Sequence, residues 1–295
     1  MPDTGYPDGL TAEAAVRELR QLKDEPFFLA VGFYKPHLPF CAPKKYWDLY
    51  DRSAIPLAPH PAPPKNIDPS LSLHRNGELT GRYAALKDPA EATEEEARQL
   101  RHGYFASVSY VDAQIGKVLD ELDRLGLRDN TIVVVWGDHG WHLGDLHVWG
   151  KHTTFEFSLR SALLMRVPGK AAGAHASGLV ESLDLYPTLA DCCGLETPKG
   201  LHGTSLAPLL ENPEQPGKDG AFGYWRRGKH TAKTLRTERY RFVQWKDRHG
   251  KVVQRELYDH QTDPHETTNV AAEHPDLVAK LTKQLDLEAP KLRAG

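Results

Sequence analysis

The strongest constraint on this chain is an apolar strand that empties into a turn rich in glycine and charge. Thr131-Ile132-Val133-Val134-Val135-Trp136 is a β-branched run bounded by Asn130 and Gly137, and it reads as a fully buried strand. In an open α/β sheet, ligands bind outside the carboxyl ends of such strands. Asp138-His139-Gly140-Trp141-His142-Leu143-Gly144-Asp145 follows at that end, and Trp149-Gly150-Lys151 comes soon after. A carboxylate beside an imidazole suits a divalent metal, and a lysine can hold an oxyanion as a point charge. For a lone pair the plain structural reading is an Asp that caps a turn and a His that packs. The full spacing, Asp-His-Gly-Trp-x-Leu-Gly-x(5)-Gly-Lys on a buried strand, points to a site.

The remaining chain supplies elements to flank that strand. Thr11 can N-cap a helix through Leu22, with Ala14, Ala15, Leu19 and Leu22 at helical spacing. Phe27 to Phe33 is an apolar run of strand length, and Lys35-Pro36-His37 lies just past its carboxyl end. Pro36 and Pro39 are expected to hold this exit extended. Two charged groups at a strand exit read as a site, against the alternative of a solvated Lys35 and a packed His37. From Ser53 to about Pro89 the composition turns proline-rich and aperiodic, a long loop of the functional or mobile kind. Thr93-Glu94-Glu95-Glu96 is a capping-box start. The helix behind it carries the apolar stripe Tyr104, Val108, Val111, Ile115, Val118, Leu122 and Leu125, and Gly126 stops it.

Ser161 to Val167 reads as another strand and Ser182 to Ala190 as a helix, with Cys192-Cys193-Gly194 at its C-cap. Alternating helices and strands are the grammar of an α/β domain with a mostly parallel sheet. Asn212-Pro213-Glu214-Gln215-Pro216-Gly217 marks a boundary, which predicts residues 1–212 as the α/β part and 213–295 as a small second domain. There the pattern becomes a meander: Lys233–Thr237, Tyr240–Trp245 and Arg255–Asp259 are short strands, closed by a helix from Pro275 to Leu287. Arg236 and Arg239 read as a solvated strand edge.

Composition narrows the function classes. A formal net charge of −3 over 295 residues excludes a nucleic-acid binder that works by neutralising phosphates. No apolar run approaches a membrane span, and Met1-Pro2-Asp3-Thr4-Gly5-Tyr6 has neither the basic start nor the apolar core of a signal peptide, which at face value means cytoplasmic. Three cysteines, two of them vicinal, make neither a disulfide framework nor a zinc pattern.

Several stretches together resemble the type I sulfatases of the alkaline phosphatase superfamily, in the iduronate-2-sulfatase-like branch. They are Asp138-His139-Gly140-Trp141, Lys151, the run Phe27 to Phe40 with Lys35-Pro36-His37-Leu38-Pro39, Tyr104 to Asp112, and Glu256-Leu257-Tyr258-Asp259. The resemblance implies that Asp138 and His139 are half of a calcium site and that Lys151 contacts sulfate. It implies His37 as general acid or base, Lys35 as a second sulfate contact and Trp141 in the sugar pocket, with a sulfated carbohydrate as substrate. The family's nucleophile, a cysteine in Cys-x-Pro-x-Arg that becomes formylglycine, has no match here, nor has its Asp-Asp metal pair. Cys41-Ala42-Pro43-Lys44-Lys45 has Lys at the fifth position and trails the Lys-Pro-His segment, so Cys41 reads as a partly buried structural residue. The expectation is a chain corresponding to the C-terminal portion of a sulfatase, with little or no turnover alone and a missing N-terminal half as partner. The full-length family is generally exported, to the periplasm or outside. Open alternatives are a phosphodiesterase or phosphonate hydrolase of the same superfamily, and a non-catalytic remnant or half of a split enzyme.

Overall fold

Thr93 opens a long helix with a reciprocal cap: its Oγ1 accepts the Glu96 N–H, and the Glu96 carboxylate accepts the Thr93 N–H. The computed structural model describes residues 1–74, 77–83 and 92–289. Its helices are α1 (Pro7–Leu22), α2 (Lys44–Trp47), α3 (Pro69–Ser72), α4 (Glu94–Arg124), α5 (Glu156–Leu159), α6 (Leu185–Cys192), α7 (Ala207–Glu211) and α8 (Pro275–Glu288). Its strands are β1 (Val133–Trp136), β2 (His142–Leu143), β3 (Trp149–Gly150), β4 (Leu163–Arg166), β5 (Ala221–Arg227), β6 (His230–Arg236), β7 (Tyr240–Lys246) and β8 (Val252–Asp259). The chain divides into two units. One comprises Met1–Pro61, the described part of Arg75–Ile132, and Leu143–Gly150; the other comprises Ala62–His74, Val133–His142 and the described part of Lys151–Gly295.

In the first unit α1 packs on α4. The first helix begins at Pro7 rather than Thr11, because proline at the first helical position gives up an N–H that would have no partner anyway. Tyr110 of α4 is fully buried and accepts the Gly9 N–H at 2.7 Å. Asp3 gathers Lys45 and Lys117, each at 2.8 Å, and the Tyr46 hydroxyl at 3.0 Å. Burial raises the Asp3 carboxyl, but these donors outweigh it and hold the group well below the usual carboxylate range. The buried face of α4 is rotated from the expected stripe: Gly103, Ala106, Ser107, Tyr110, Val111, Gln114 and Leu122 are buried, while Val108 is 40% exposed. Small residues make that face. A Cβ on Gly103 would stand 2.9 Å from both the Phe40 Cβ and the Trp47 ring.

Two expectations for residues 27–39 are corrected. Phe27 to Phe33 forms no strand, and Phe28 is 83% exposed, because this apolar run has no ladder partner among the described residues. The exit past it turns rather than extends. Both the Lys35–Pro36 and Leu38–Pro39 peptides are cis, and the Tyr34 carbonyl accepts the His37 N–H at 3.1 Å. Residues 84–91, the end of the proline-rich loop, lie outside the described residues.

In the second unit β1 pairs antiparallel with β4, Val133 opposite Arg166 and Trp136 opposite Leu163. No residue of either strand is buried, although the sequence reads the first as fully buried. Strands β5 to β8 form an antiparallel meander in chain order. Side chains alternate across it: Leu235, Phe242 and Leu257 pack on Leu281 and Leu285 of α8, while Thr234, Arg241, Val243 and Glu256 take the other face. The sequence reading missed β5, whose Gly223 and paired arginines lack a β-branched signal. Glu256, fully buried, ties α3 to the sheet. One carboxylate oxygen accepts from the Ser72 hydroxyl (2.6 Å), the Gln254 amide (2.6 Å) and the Trp245 indole (2.9 Å), and the other from the Tyr258 hydroxyl (2.8 Å).

Candidate active site

The turn that leaves β1 is held close to the backbone of α5. Gly137 donates to the Ala162 carbonyl at 2.9 Å and Gly140 to the Ser158 carbonyl at 2.8 Å. A Cβ on Gly140 would lie 2.2 Å from the Phe157 carbonyl oxygen and 2.5 Å from that of Arg160. Only glycine fits, and backbone cannot swing aside as a side chain can. Gly140→Ala is therefore expected to cost about 1–3 kcal/mol in urea unfolding; a loss below about 0.5 kcal/mol would contradict this close approach. Behind the turn, His142 is fully buried with Nε2 3.0 Å from the Thr153 hydroxyl, which lies 2.8 Å from that of Ser158. This chain of polar groups links the turn to the segment after Lys151. The sequence reading assigned His142 no role.

Four of the six expected site residues meet in this second unit. Asp138 is 73% exposed, and its carboxylate lies 3.6 Å from His139 Nε2. The Gly140 carbonyl lies 2.7 Å from His139 Nδ1. A carbonyl can only accept, so the neutral ring carries its proton on Nδ1 and turns a lone pair on Nε2 outward beside Asp138. The Lys151 ammonium sits 5.0 Å from the centre of the Trp141 ring, and that ring is 6.2 Å from His139. An indole face holds an ammonium by its quadrupole without neutralising it.

One carboxylate and one imidazole do not make a calcium site, since calcium takes six to eight oxygen ligands. Asp138 and His139 could supply two of the ligands.

Lys35 and His37 come together in the first unit. The buried Asp8 carboxylate accepts the N–H groups of Tyr34 and Lys35, both at 2.8 Å, and so fixes the turn. The Lys35 ammonium donates to the His37 carbonyl at 3.2 Å and to the Pro39 carbonyl. Burial lowers its pKa, so it is not the solvated lysine of the alternative reading. His37 Nδ1 lies 2.7 Å from the Leu38 carbonyl, and Nε2 stands 3.9 Å from Glu78. Its ring packs against Tyr34 at 5.0 Å and Tyr83 at 6.5 Å. The Tyr83 hydroxyl, 3.2 Å from that of Tyr34, pushes Tyr34 up to about 12. Asp8, Glu78 and Tyr83 escaped sequence reasoning because each is far along the chain from the motif it serves.

Among the described residues, Glu156, His260 and Glu266 offer ligand atoms within 4.8 Å of one another. This group is an ion-pair network. Arg241 donates to Glu266 at 2.5 Å and to Glu156, Arg236 lies 3.4 Å from Glu156, and His260 Nε2 is 2.9 Å from Glu266. Burial raises Glu156, but Arg241 and Arg236 outweigh it and hold the carboxyl below its ordinary value. The guanidiniums already supply the positive charge a metal would bring. Arg236 is thus a 15%-exposed network member and not the solvated edge residue expected; Arg239 pairs with Asp259 at 2.9 and 2.6 Å. Cys41 is exposed, correcting the partly buried expectation.

The Sulfatase family model matches residues 1–195, and the model for the C-terminal part of N-sulphoglucosamine sulphohydrolase matches residues 137–293. The chain belongs to the sulfatase family. It is 36% identical to iduronate 2-sulfatase of Mus musculus over 230 residues, covering 67% of this chain and 42% of that protein. To a sulfatase of Formosa agariphila it is 30% identical over 271 residues, 91% of this chain and 51% of that one. This sulfatase-family chain thus spans about half the length of the relatives it matches. Among solved structures, BT4656 in complex with its substrate D-glucosamine-2-N,6-O-disulfate superposes with a TM-score of 0.81 at 20% identity, over 95% of this chain and 69% of that one. The phosphonate monoester hydrolase of Silicibacter pomeroyi gives 0.81 at 27% identity, over 96% and 60%. These neighbours bear out the expected class: an alkaline phosphatase/sulfatase-like α/β fold with a C-terminal antiparallel sheet subdomain.

Proposed function

We propose that this chain carries the oxyanion-binding half of a sulfuric ester hydrolase that acts on sulfated sugars or glycosaminoglycans in the iduronate-2-sulfatase manner. The observation that carries the reading is the Lys151 ammonium resting on Trp141 in the same unit as the Asp138–His139 pair. Cleaving a sulfate ester requires balancing charge on the sulfuryl oxygens, aiming a nucleophile at sulfur and protonating the leaving alcohol. Lys151 and Lys35 answer the first need as point charges. His37 answers the third, as the general acid that hands a proton to the departing sugar oxygen. Trp141 presents an apolar face to a sugar ring. Asp138 and His139 supply two ligands of a divalent cation, calcium in this reading, whose part is to balance sulfuryl charge.

The sequence holds neither Cys-x-Pro-x-Arg nor an Asp-Asp pair, so in this reading the nucleophile and the remaining ligands come from another polypeptide and the chain by itself does not turn over. Residues 1–212 are the C-terminal portion of the catalytic domain and 213–295 a small appended domain. The reading also places the working enzyme in the periplasm or outside the cell; among the described residues no helix is long and apolar enough to cross a membrane.

Two other readings stay in view. The likeness to phosphonate monoester hydrolases favours a sister activity on phosphonate or phosphate diesters, and a non-catalytic remnant would need none of these residues. The purified chain, with calcium, is to be assayed on an arylsulfate, sulfated glycosaminoglycan disaccharides and a phosphonate monoester. The expected result is no hydrolysis of any. Sulfate-ester turnover that disappears in Cys41→Ala would overturn the proposal by making Cys41 the nucleophile, and phosphonate turnover alone would favour the sister activity.

A further inference from the structure

We propose that His74 and His152 form a site for a borderline transition-metal ion, zinc or nickel, and that the ion clips residues 62–74 to the segment behind Lys151. The site shares no residue with the Asp138–His139 pair and differs from it in chemistry. It goes beyond the sulfatase reading and holds whether or not the chain acts on sulfate esters.

Residues 62–74 run along the meander as a strap fixed at several points. Lys65 bridges in parallel to Thr268: its N–H donates to the Thr267 carbonyl at 2.9 Å, and its carbonyl accepts the Asn269 N–H at 3.1 Å. The side-chain amides of Asn66 and Asn269 each donate to the other residue's carbonyl, at 3.2 and 2.9 Å. Farther along, the Gln254 side chain accepts the Asp68 N–H at 2.7 Å, and Leu71 joins the buried cluster of Ala232, Val243 and Trp245. A mount tied down in this way gives His74, at its end, a defined place. The His74 ring meets that of His152 with centres 4.7 Å apart and planes at 62°. His152 is held in turn. Arg227 donates to its carbonyl at 2.9 Å, and its ring stacks on Trp225 of β5 at 5.2 Å and 26°. All of these residues belong to the second unit, and both imidazoles are half-buried, within reach of ions in solution.

The spacing of the rings is the one a shared ion requires. Two imidazoles whose nitrogens lie about 2.0–2.1 Å from one metal, at a ligand angle of about 90–110°, have ring centres about 4.5–5.2 Å apart. The observed 4.7 Å falls inside that range. Edge-to-face packing alone accepts the same distance, but packing alone would be served as well by two phenyl rings, whereas ligation needs the nitrogens. Donor chemistry then selects the ion. Imidazole suits zinc, nickel and copper, and calcium prefers a shell of oxygens; water fills the remaining positions. An ion bound by both rings joins two segments far apart in sequence, and by binding the folded chain in preference to the unfolded one it stabilises the fold.

The test titrates the purified 295-residue chain with zinc in a calorimeter and with nickel while tryptophan fluorescence is followed, each in a large excess of calcium. Trp225 lies against His152, so nickel bound there should quench its emission, and Trp225→Phe should remove that part of the quenching while leaving the heat of zinc binding in place. His74→Phe and His152→Phe keep an aromatic ring for packing and take away the nitrogen. Each is expected to weaken zinc at least tenfold, about 1.4 kcal/mol, with the circular dichroism of the metal-free chain unchanged. Zinc should also raise the urea midpoint of the parent and leave that of both phenylalanine variants where it was. His139→Ala should bind zinc at this site as the parent does. Zinc binding that is equal in the parent and both phenylalanine variants would overturn the proposal and leave the two rings as packing. Displacement of zinc by calcium, or loss of the quenching in His139→Ala with retention in His152→Phe, would overturn it as well. A chain that binds zinc as described yet shows no preference for a sulfated sugar would contradict the sulfatase reading and leave this site standing.

Discussion

Replacing Arg241 with alanine is expected to cost about 3–5 kcal/mol of folding stability, because it strips the cation from a buried ion-pair network. Arg241 is 3% exposed, and its guanidinium bridges Glu266, which is fully buried, and Glu156. Without it the nearest cation left to Glu156 is Arg236, at 3.4 Å, and Glu266 loses the guanidinium bonded directly to its carboxylate. Urea unfolding at neutral pH, followed by tryptophan fluorescence, measures the loss. Arg241→Met combined with Glu266→Gln should recover much of it, since a buried pair removed whole costs far less than a pair broken. A loss under about 1 kcal/mol for Arg241→Ala would show that water reaches the network and that it does not hold α5 to the sheet.

Glu256→Ala is the second large effect, expected at about 2–4 kcal/mol, since it leaves several buried donors without an acceptor. The donors come from two places: Ser72 at the end of α3, and Trp245, Gln254 and Tyr258 of the sheet. Burial raises the Glu256 carboxyl above its ordinary value, against the pull of these four donors. The sign of the pH effect follows. A carboxyl raised in the folded state binds its proton more tightly there than in the unfolded chain, so its contribution falls as pH climbs from the unfolded value through the folded one. Glu256→Gln keeps an acceptor and cannot ionise. It should lose less than Glu256→Ala at every pH, and its deficit against the parent should shrink as pH rises through that window. A deficit that grows instead would mean that the carboxylate, not the acid, is the form the fold prefers.

The sequence made legible whatever is written in local pattern. The capping box at Thr93, the strand before Asp138, the helix from Pro275 and most of the meander all follow from spacing that a single element carries. The gathering of Asp138, His139, Trp141 and Lys151 was also legible, because one turn and one short excursion bring them together. What escaped depends on partners distant in sequence. The buried face of α4 is chosen by Phe40 and Trp47 pressing on Gly103, which no stripe on the helix itself reports. Phe27 to Phe33 has the composition of a strand, but a strand also needs a neighbour to bond with. Asp8 orients Lys35 from 27 residues away, and Arg236 changes from an edge residue to a network member only when Glu156 arrives beside it.

The most direct test of the account is equilibrium binding of glucosamine 6-sulfate and of unsulfated glucosamine to the purified chain, in parent and Lys151→Ala forms, followed by NMR titration. The account predicts that the parent binds the sulfated sugar in preference to the unsulfated one. It also predicts that Lys151→Ala weakens the sulfated sugar at least tenfold, about 1.4 kcal/mol, and leaves the unsulfated one unchanged. Equal binding of the sulfated sugar by parent and Lys151→Ala would contradict the assignment of Lys151 as the oxyanion contact, and with it the reading of this turn as a sulfatase site.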